Sequence, residues 1–455
     1  MINAHDSYKH QAPHVVLGLG HTGWSVARFL ASQKKAVICM DSRDAPPLLP
    51  QIKKDLPTVC FLPGGFDREI LDRAVQIVVS PGISLNEPVI ESALRQGAKI
   101  VGDIELFAQQ AKAPIIAITG SNAKSTVTTL VAEMLKAAGH RMAVGGNLGT
   151  PALDLLQQPG AEFFVLELSS FQLETTYALN AAASVLLNVS EDHLDRHGTF
   201  KDYIDIKRRV YQGDGMHVFN ADDPIVRAMS QNSQDDLFFT LQVPEDERYF
   251  GLRQQGQETW LSCGEEKLLE VRSLAVSGLH NYANILAALA LGRAVGLDFQ
   301  PMITAAQSFR GLPHRCELVK TLAGVRWVND SKGTNVGATK AAVIGLGIDQ
   351  SEASIVLIAG GISKDADFTP LREVAGRYLK SAVLIGRDAN QLEAALADII
   401  PVIHQQDMDS AVAAAAEIAA PGDTVLLSPA CASFDMFADY QERGRAFIQA
   451  VEDLV

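Results

Sequence analysis

Ile115-Ile116-Ala117-Ile118-Thr119-Gly120-Ser121-Asn122-Ala123-Lys124-Ser125-Thr126 decides the fold of this chain. The apolar, mostly β-branched start reads as a buried strand, Thr119-Gly120 as the turn that ends it, and residues 128–138 as the helix that follows. A lysine followed by hydroxyl residues at a helix start suits a triphosphate: backbone N–H groups cradle it, Lys124 neutralises charge and Ser125 reaches Mg²⁺. The loop is shorter than GxxxxGK[ST], and taken alone it also reads as a capped helix with a surface lysine. Ala123 stands where a glycine is expected; if the position needs a positive φ, alanine costs about 1–2 kcal/mol.

The same strand, turn and helix rhythm runs from residue 14 to the end, which predicts an α/β fold class with parallel sheets covered by helices. The chain has 455 residues, and at roughly 150 residues per domain about three domains are expected. Punctuation sets their limits at 1–108, 109–312 and 313–455, with a polar hinge at 109–113 and Gly311-Leu312-Pro313 closing the second. A polar stretch at 231–270 reads as an irregular or β-rich excursion, and the alanine run at 411–420 as helix.

Hydrophobic residues make up 47% and charged residues 20%, the composition of a folded globular protein. Lys plus Arg number 39 against 53 Asp plus Glu, a formal charge of -14, which argues against nucleic-acid binding through a basic surface. No apolar run approaches the roughly 20 residues that span a bilayer, so no membrane insertion is expected. Met1-Ile2-Asn3-Ala4-His5-Asp6 lacks a signal peptide's apolar stretch, so a cytoplasmic protein is expected, working as a monomer on small molecules. Cys39, Cys60, Cys263, Cys316 and Cys431 are scattered without CxxC spacing and read as reduced thiols.

Ligands of open α/β sheets bind outside the carboxyl ends of the strands, and the unusual polar residues gather there. Gly18-Leu19-Gly20-His21-Thr22-Gly23, with Asp41 closing the next strand, is a glycine turn that lets a backbone approach a pyrophosphate; it does not say which nucleotide. Ser42-Arg43 and Ser80-Pro81-Gly82-Ile83 add donors at that edge. Glu167 ends the run 163–166, where a carboxylate needs a partner such as a metal. His193 follows a strand read at 185–189 and by itself is more often a loop residue than a ligand. If 201–211 is helical, Lys207 lies among Tyr203, Ile206, Val210 and Tyr211, opposite Lys201, Asp202, Asp205, Arg208 and Arg209. A cation on that face needs an anionic partner or a chemical change, unless it snorkels out. The turns at 329–335, 360–364 and 428–433 bring two lysines, an aspartate and hydroxyls to the third sheet, which suits an anionic substrate near a nucleotide.

Taken together, Thr119-Gly120-Ser121-Asn122-Ala123-Lys124-Ser125-Thr126, Leu166-Glu167-Leu168-Ser169-Ser170-Phe171-Gln172, Glu191-Asp192-His193, His280-Asn281-Tyr282-Ala283-Asn284, Leu312-Pro313-His314-Arg315 and Asn329-Asp330-Ser331-Lys332 occur in the order typical of Mur ligases. The chain resembles that family over almost its whole length. The resemblance implies a Rossmann-like N-terminal domain for the UDP-sugar, a central P-loop-type ATPase domain with a mostly parallel sheet, and a Rossmann-like C-terminal domain for ATP and an amino acid. The GLGHTG start and residues 427–435 are similar to the branch that adds D-glutamate to UDP-N-acetylmuramoyl-L-alanine through an acyl phosphate, in peptidoglycan synthesis.

Carried over residue by residue, the resemblance implies that Leu19, Thr22, Asp41, Ser42, Arg43, Ser80 and Gly82 surround uridine and diphosphate, with Asn147 between substrate and nucleotide. Gly120, Ser121, Asn122, Ala123, Lys124, Ser125 and Thr126 would form the ATP loop. Asn281 and Asn284 would lie near adenine, Arg315 at a phosphate and Asp330 at the ribose. Ser125 and Glu167 would hold one Mg²⁺ and His193 a second, with Lys207 carbamylated by CO₂ to orient metal; Lys124, His193 and Lys207 are thus the expected catalytic residues. Lys332, Thr334, Lys364, Ser433 and Phe434 would line the D-glutamate site and Tyr440 close it. Ala123 departs from the family's glycine, and Lys207 is anchored on the Lys-x-Arg-x-Tyr pattern it forms with Arg209 and Tyr211. An NAD-dependent oxidoreductase would use the first glycine turn and Asp41 but leave Lys124-Ser125 idle; a folate polyglutamate synthetase or a non-enzymatic nucleotide sensor would use the central motifs alone.

Overall fold

The structure is a computed structural model that describes residues 12–147, 149–231, 233–276, 278–347 and 352–454. The polar start at 1–6 lies outside them. Three sheets follow one another along the chain.

The first holds β1 (His14–Leu17), β2 (Val37–Asp41), β3 (Cys60–Pro63), β4 (Gln76–Val79) and β5 (Ile100–Val101), all parallel, in the order β3-β2-β1-β4-β5. The order reverses between β1 and β4, so the turns after them face each other, and Ser80 Oγ donates to Gly18 O at 3.1 Å. A Cβ on Gly23 would collide with the Gly18 carbonyl oxygen, which explains why helix His21–Ser32 can start so close to the strand.

The second sheet holds β6 (Ile115–Thr119), β7 (Met142–Gly146), β8 (Phe163–Glu167), β9 (Ala183–Leu186), β10 (Met216–Asn220), β11 (Leu237–Phe239), β12 (Tyr249–Gln255), β13 (Glu258–Cys263) and β14 (Glu266–Glu270). Their order is β14-β13-β12-β11-β10-β9-β6-β8-β7, parallel from β7 to β12 and antiparallel beyond. Every residue of β6 is buried, because both faces are covered. Ile116 and Ile118 point into the helices Lys124–Ala137 and Leu279–Ala294, whereas Ala117 points into a core shared with Val16, Leu19 and Val78 of the first unit. The stretch at 231–270 is therefore not an excursion: its strands extend the same sheet, held by Phe239, Phe250, Leu261 and Leu269 in the core with helix Leu279–Ala294.

The third sheet holds β15 (Glu317–Leu322), β16 (Val325–Asn329), β17 (Ile355–Gly360), β18 (Leu379–Ile385), β19 (Val402–His404) and β20 (Thr424–Leu427), in the order β15-β16-β20-β17-β18-β19 with only β15 antiparallel. The alanine run falls in helix Met408–Ile418.

Two element limits differ from the sequence reading. The helix after the phosphate-type loop begins at Lys124 rather than 128. The strand read at 185–189 ends at Leu186, because Asn188 Oδ1 accepts from the Asn122 N–H and the Val189 N–H donates to Asp223, tying the chain into loops instead of the ladder.

Candidate active site

β8, β6 and β9 are neighbours, so their carboxyl ends deliver the loops at 119–124, 167–172 and 187–193 to one place. The third unit adds Arg315, Lys332, Thr334 and Asn335 from the turns around β16, and together they enclose a cleft of about 180 Å³.

The loop at 119–124 is built by hydrogen bonds to the β9 loop. Ser121 Oγ donates to Ser190 O at 3.0 Å and lies 3.0 Å from Tyr203 Oη. Ala123 adopts φ 66°, the left-handed conformation foreseen for a glycine position. Helix Lys124–Ala137 has no side-chain cap, so its first N–H groups are free for an anion. Lys124 Nζ folds back onto the Gly120 and Ser121 carbonyls at 2.8 and 2.9 Å. Burial pushes its pKa below the ordinary lysine value. Arg315 reaches from the third unit to donate to Ser125 Oγ at 2.8 Å. Gly120 and Thr126 of the same loop are outside the cleft lining.

Glu167 ends β8 and is 3% exposed; Oε1 accepts from Asn147 Nδ2 at 2.6 Å, and Oε2 is buried without a partner. Ser125, His193 and Lys207 line the same cleft. Among the described residues no group of three or more His, Cys, Asp or Glu could hold a metal unaided. An orphaned carboxylate oxygen beside a hydroxyl and an imidazole nevertheless fits Mg²⁺, which is held by one or two carboxylates together with substrate phosphates. His193 adopts φ 55° at the start of helix Leu194–His197, with Nε2 3.6 Å from Asp192 Oδ2.

Lys207 lies in helix Phe200–Arg208, with Arg209–Tyr211 continuing as a 3₁₀ turn. It is 1% exposed beside buried Tyr203 and Val210, while Lys201, Asp202, Asp205 and Arg208 are exposed, as the helical spacing predicts; Arg209, expected on the same outer face, is half-buried because its guanidinium donates to the Leu173 and Glu174 carbonyls. Its Nζ donates to Gly120 O at 2.9 Å and sits 4.8 Å from the Tyr203 ring centroid. Among the described residues no anionic partner forms an ion pair with it. Burial first, then the Lys124 charge, hold its pKa well below the ordinary value, so the amine is disposed to be neutral.

At the first sheet, Asp41 is buried and accepts from Leu19 N at 2.7 Å and from Arg43 Nε and Nη2 at 2.8 and 2.7 Å. It thus orients the glycine turn and Arg43, near Thr22, Ser42, Ser80 and Gly82 at the same strand ends. In the third unit, Lys332 Nζ sits 4.0 Å over the Tyr440 ring, and burial with the Arg315 and Lys124 charges lowers its pKa to about 8. Lys364 Nζ lies 3.6 Å from Asp192 Oδ1, Ser433 is buried, and Phe434 is 71% exposed and outside the cleft lining. Asp330 is outside the cleft lining; its carboxylate accepts from Ser428 Oγ at 2.7 Å and Cys316 N at 3.2 Å, and burial raises its pKa to about 6. Asn281 and Asn284 stand in the first turns of helix Leu279–Ala294, outside the lining.

Sequence reasoning missed Asp192, Asn335, Phe171 and Tyr203 as cleft residues, although all four lie inside segments it singled out. Asn335 Nδ2 donates to Asn122 Oδ1 and Asp192 Oδ2, both at 3.2 Å, and joins the second and third units. A larger groove of about 520 Å³ opens at 205–217 and 229–236, away from these loops.

An uncapped helix start and convergent basic side chains suit a polyphosphate, and the unpaired carboxylate suits the cation that accompanies one. Found at the carboxyl ends of parallel strands, this defines an α/β enzyme of the nucleotide-dependent class. The chain belongs to the Mur ligase family: residues 12–102 match its MurD-like N-terminal domain, 118–292 its middle domain and 314–431 its glutamate ligase domain. It is 51% identical over 444 residues to the UDP-N-acetylmuramoylalanine–D-glutamate ligase of Nitrosococcus oceani, covering 98% of this chain and 97% of the relative. It is 50% identical over 440 residues to the enzyme of the same name from Pseudomonas putida, covering 97% of each. Among solved structures, a pseudomurein peptide ligase type C from Methanothermus fervidus shares the fold at a TM-score of 0.62 and 18% identity, covering 97% of this chain and 100% of that one. The UDP-N-acetylmuramate–alanine ligase MurC of Thermotoga maritima does so at 0.58 and 16%, covering 97% and 99%.

Proposed function

We propose that this enzyme is an ATP-dependent ligase that joins D-glutamate to UDP-N-acetylmuramoyl-L-alanine, a cytoplasmic step of peptidoglycan synthesis carried out by a monomer. The observation that supports it most is the meeting of the uncapped phosphate loop, the orphaned Glu167 oxygen, and Arg315 and Lys332 of the third unit in one cleft. The names of relatives at about 50% identity over nearly the whole chain point the same way.

Residues 1–108 take the UDP end of the substrate at the β1–β4 switch point, 109–312 take ATP, and 313–455 complete the ATP site and take the amino acid. Lys124 leaves its own loop carbonyls for the ATP phosphates, and Arg315 follows the phosphate from Ser125. Glu167 and Ser125 would hold one Mg²⁺ and His193 a second, and the ions would supply charge neutralisation at the phosphates. The substrate carboxylate attacks the γ-phosphorus of ATP, the bond to the β-phosphate oxygen breaks, ADP leaves and an acyl phosphate forms. The neutral amine of D-glutamate then attacks that carbonyl, phosphate leaves and an amide remains. Lys332 and Lys364 hold the carboxylates of D-glutamate, so the amine alone is left free to react.

Lys207 serves as a carbamate. Burial disfavours the charged amine, and the neutral amine adds to CO₂ with loss of one proton, which turns it into an anion that the site can use. Lys207→Ala should abolish turnover, and short-chain carboxylic acids should partly restore it; full activity in that variant would return Lys207 to a packing role.

The proposal is tested by phosphate release from ATP with UDP-N-acetylmuramoyl-L-alanine and, in turn, D-Glu, L-Glu, L-Ala and meso-diaminopimelate. D-Glu alone should give rapid release; equal rates with another amino acid would refute the assignment.

A further inference from the structure

Arg196 stands three residues after His193, in helix Leu194–His197, and its side chain is only 13% exposed. Its guanidinium joins two units. Nη1 donates to Ser84 Oγ at 2.9 Å and Nη2 to Ile83 O at 2.9 Å, both in the turn that follows β4 of the first sheet. Nη2 also donates to Glu174 Oε2 at 2.7 Å, just past helix Ser170–Leu173 of the second unit. Its Cζ lies 5.6 Å from the Phe171 ring centroid, and that ring packs edge-on against His193 at 4.9 Å. The turn proposed to hold diphosphate is thereby linked through one planar fork to the segments that carry Glu167 and His193. Lysine cannot reproduce such a fork.

A nearly buried arginine that satisfies a carbonyl, a hydroxyl and a carboxylate at once fixes the relative position of three chain segments. The first two units have another attachment, since Asp154 accepts from Ser25 Oγ at 2.6 Å and Arg28 Nη2 at 2.7 Å, but those contacts lie on helix His21–Ser32 and do not touch the turn at 80–84. The turn keeps its own bonds to β1, such as Ser80 Oγ to Gly18 O, so loss of Arg196 would leave the units attached and free the turn to shift only relative to the segments that carry Glu167 and His193.

We propose that Arg196 is a positioning residue that sets the register between the UDP-binding turn and the catalytic cleft. This rests on the functional reading above: a substrate held by its uridine end in the first unit must present its carboxylate at the phosphate loop of the second. A misplacement of about 1 Å there costs on the order of 10²-fold in rate.

The test uses the full chain with Arg196→Ala and Arg196→Lys. With saturating substrates, kcat for D-glutamate-dependent phosphate release should fall about 10²-fold in the alanine variant and at least about 10-fold in the lysine variant. Kd for UDP, measured by calorimetry, should stay within about 3-fold of wild type. Spin labels at Glu69→Cys and Glu133→Cys, both on exposed positions, should report a broader distance distribution in Arg196→Ala. A kcat within about 2-fold of wild type, a loss of UDP affinity in step with kcat, or an unchanged distance distribution would each overturn the inference. Wild-type enzyme that releases no phosphate with D-glutamate would instead overturn the functional reading, and the label distances would then decide the register claim by themselves.

Discussion

Ala123 shows how much a single residue can disclose. The sequence places alanine where the loop expects glycine, and the structure finds it at φ 66°. Ala123→Gly should relieve about 1 kcal/mol of strain, raise the thermal midpoint slightly and preserve ATP turnover; a large loss of activity would show a loop built around the methyl group. Lys332, with its pKa lowered to about 8, predicts a pH effect. Its charge is complete well below pH 8 and lost above it, so kcat/KM for D-glutamate should decline through that range, and Lys332→Arg should flatten the decline. An identical profile in that variant would remove Lys332 from amino-acid binding. Asp103 was not legible as unusual. It is fully buried, with Oδ1 unpartnered and a 3.4 Å bond from Gln172 Nε2, and burial raises its pKa from 3.8 to about 6. The fold favours its protonated form, so stability from this site is present below pH 4 and lost as pH rises through about 6. Asp103→Asn should therefore be more stable than wild type at about pH 8, by about 2–3 kcal/mol, with the advantage vanishing near pH 4. A pH-independent difference in thermal midpoint would contradict the buried-acid account.

At the scale of elements, the glycine turns depend on close backbone approach. Gly23 meets the Gly18 carbonyl, so Gly23→Ala should force helix His21–Ser32 away from β1 at a cost of about 1–3 kcal/mol. UDP affinity should fall while ATP affinity is retained; equal loss of both would indicate general unfolding. Strand ends and the helix of Lys207 were legible because period and side-chain polarity are local properties. The strand limits near 186 and the membership of 231–270 in the central sheet were not, since Asn188 and Asp223 satisfy backbone groups through distant partners that no local pattern reveals. The contacts between units were equally hidden. Arg196 and Asp154 stand in no motif, and Asn335 stands in a singled-out turn that does not name its partner; only folding brings their partners to them.

Over the whole molecule, the formal charge of -14 coexists with a cleft that gathers Lys124, Arg315 and Lys332. Two anionic nucleotides can thus be bound by an acidic protein, because screening confines each charge to about 10 Å at ordinary salt. No described helix is long and apolar enough to cross a membrane. The central claim is that one cleft couples ATP cleavage to amide formation on D-glutamate. Mass spectrometry of UDP-N-acetylmuramoyl-L-alanine after incubation with ATP, Mg²⁺ and an equal mixture of isotopically distinguished D- and L-glutamate tests it most directly. The account predicts a product heavier by one D-glutamyl residue, with one phosphate released per amide. Phosphate release without that product, or incorporation of both enantiomers, would contradict it.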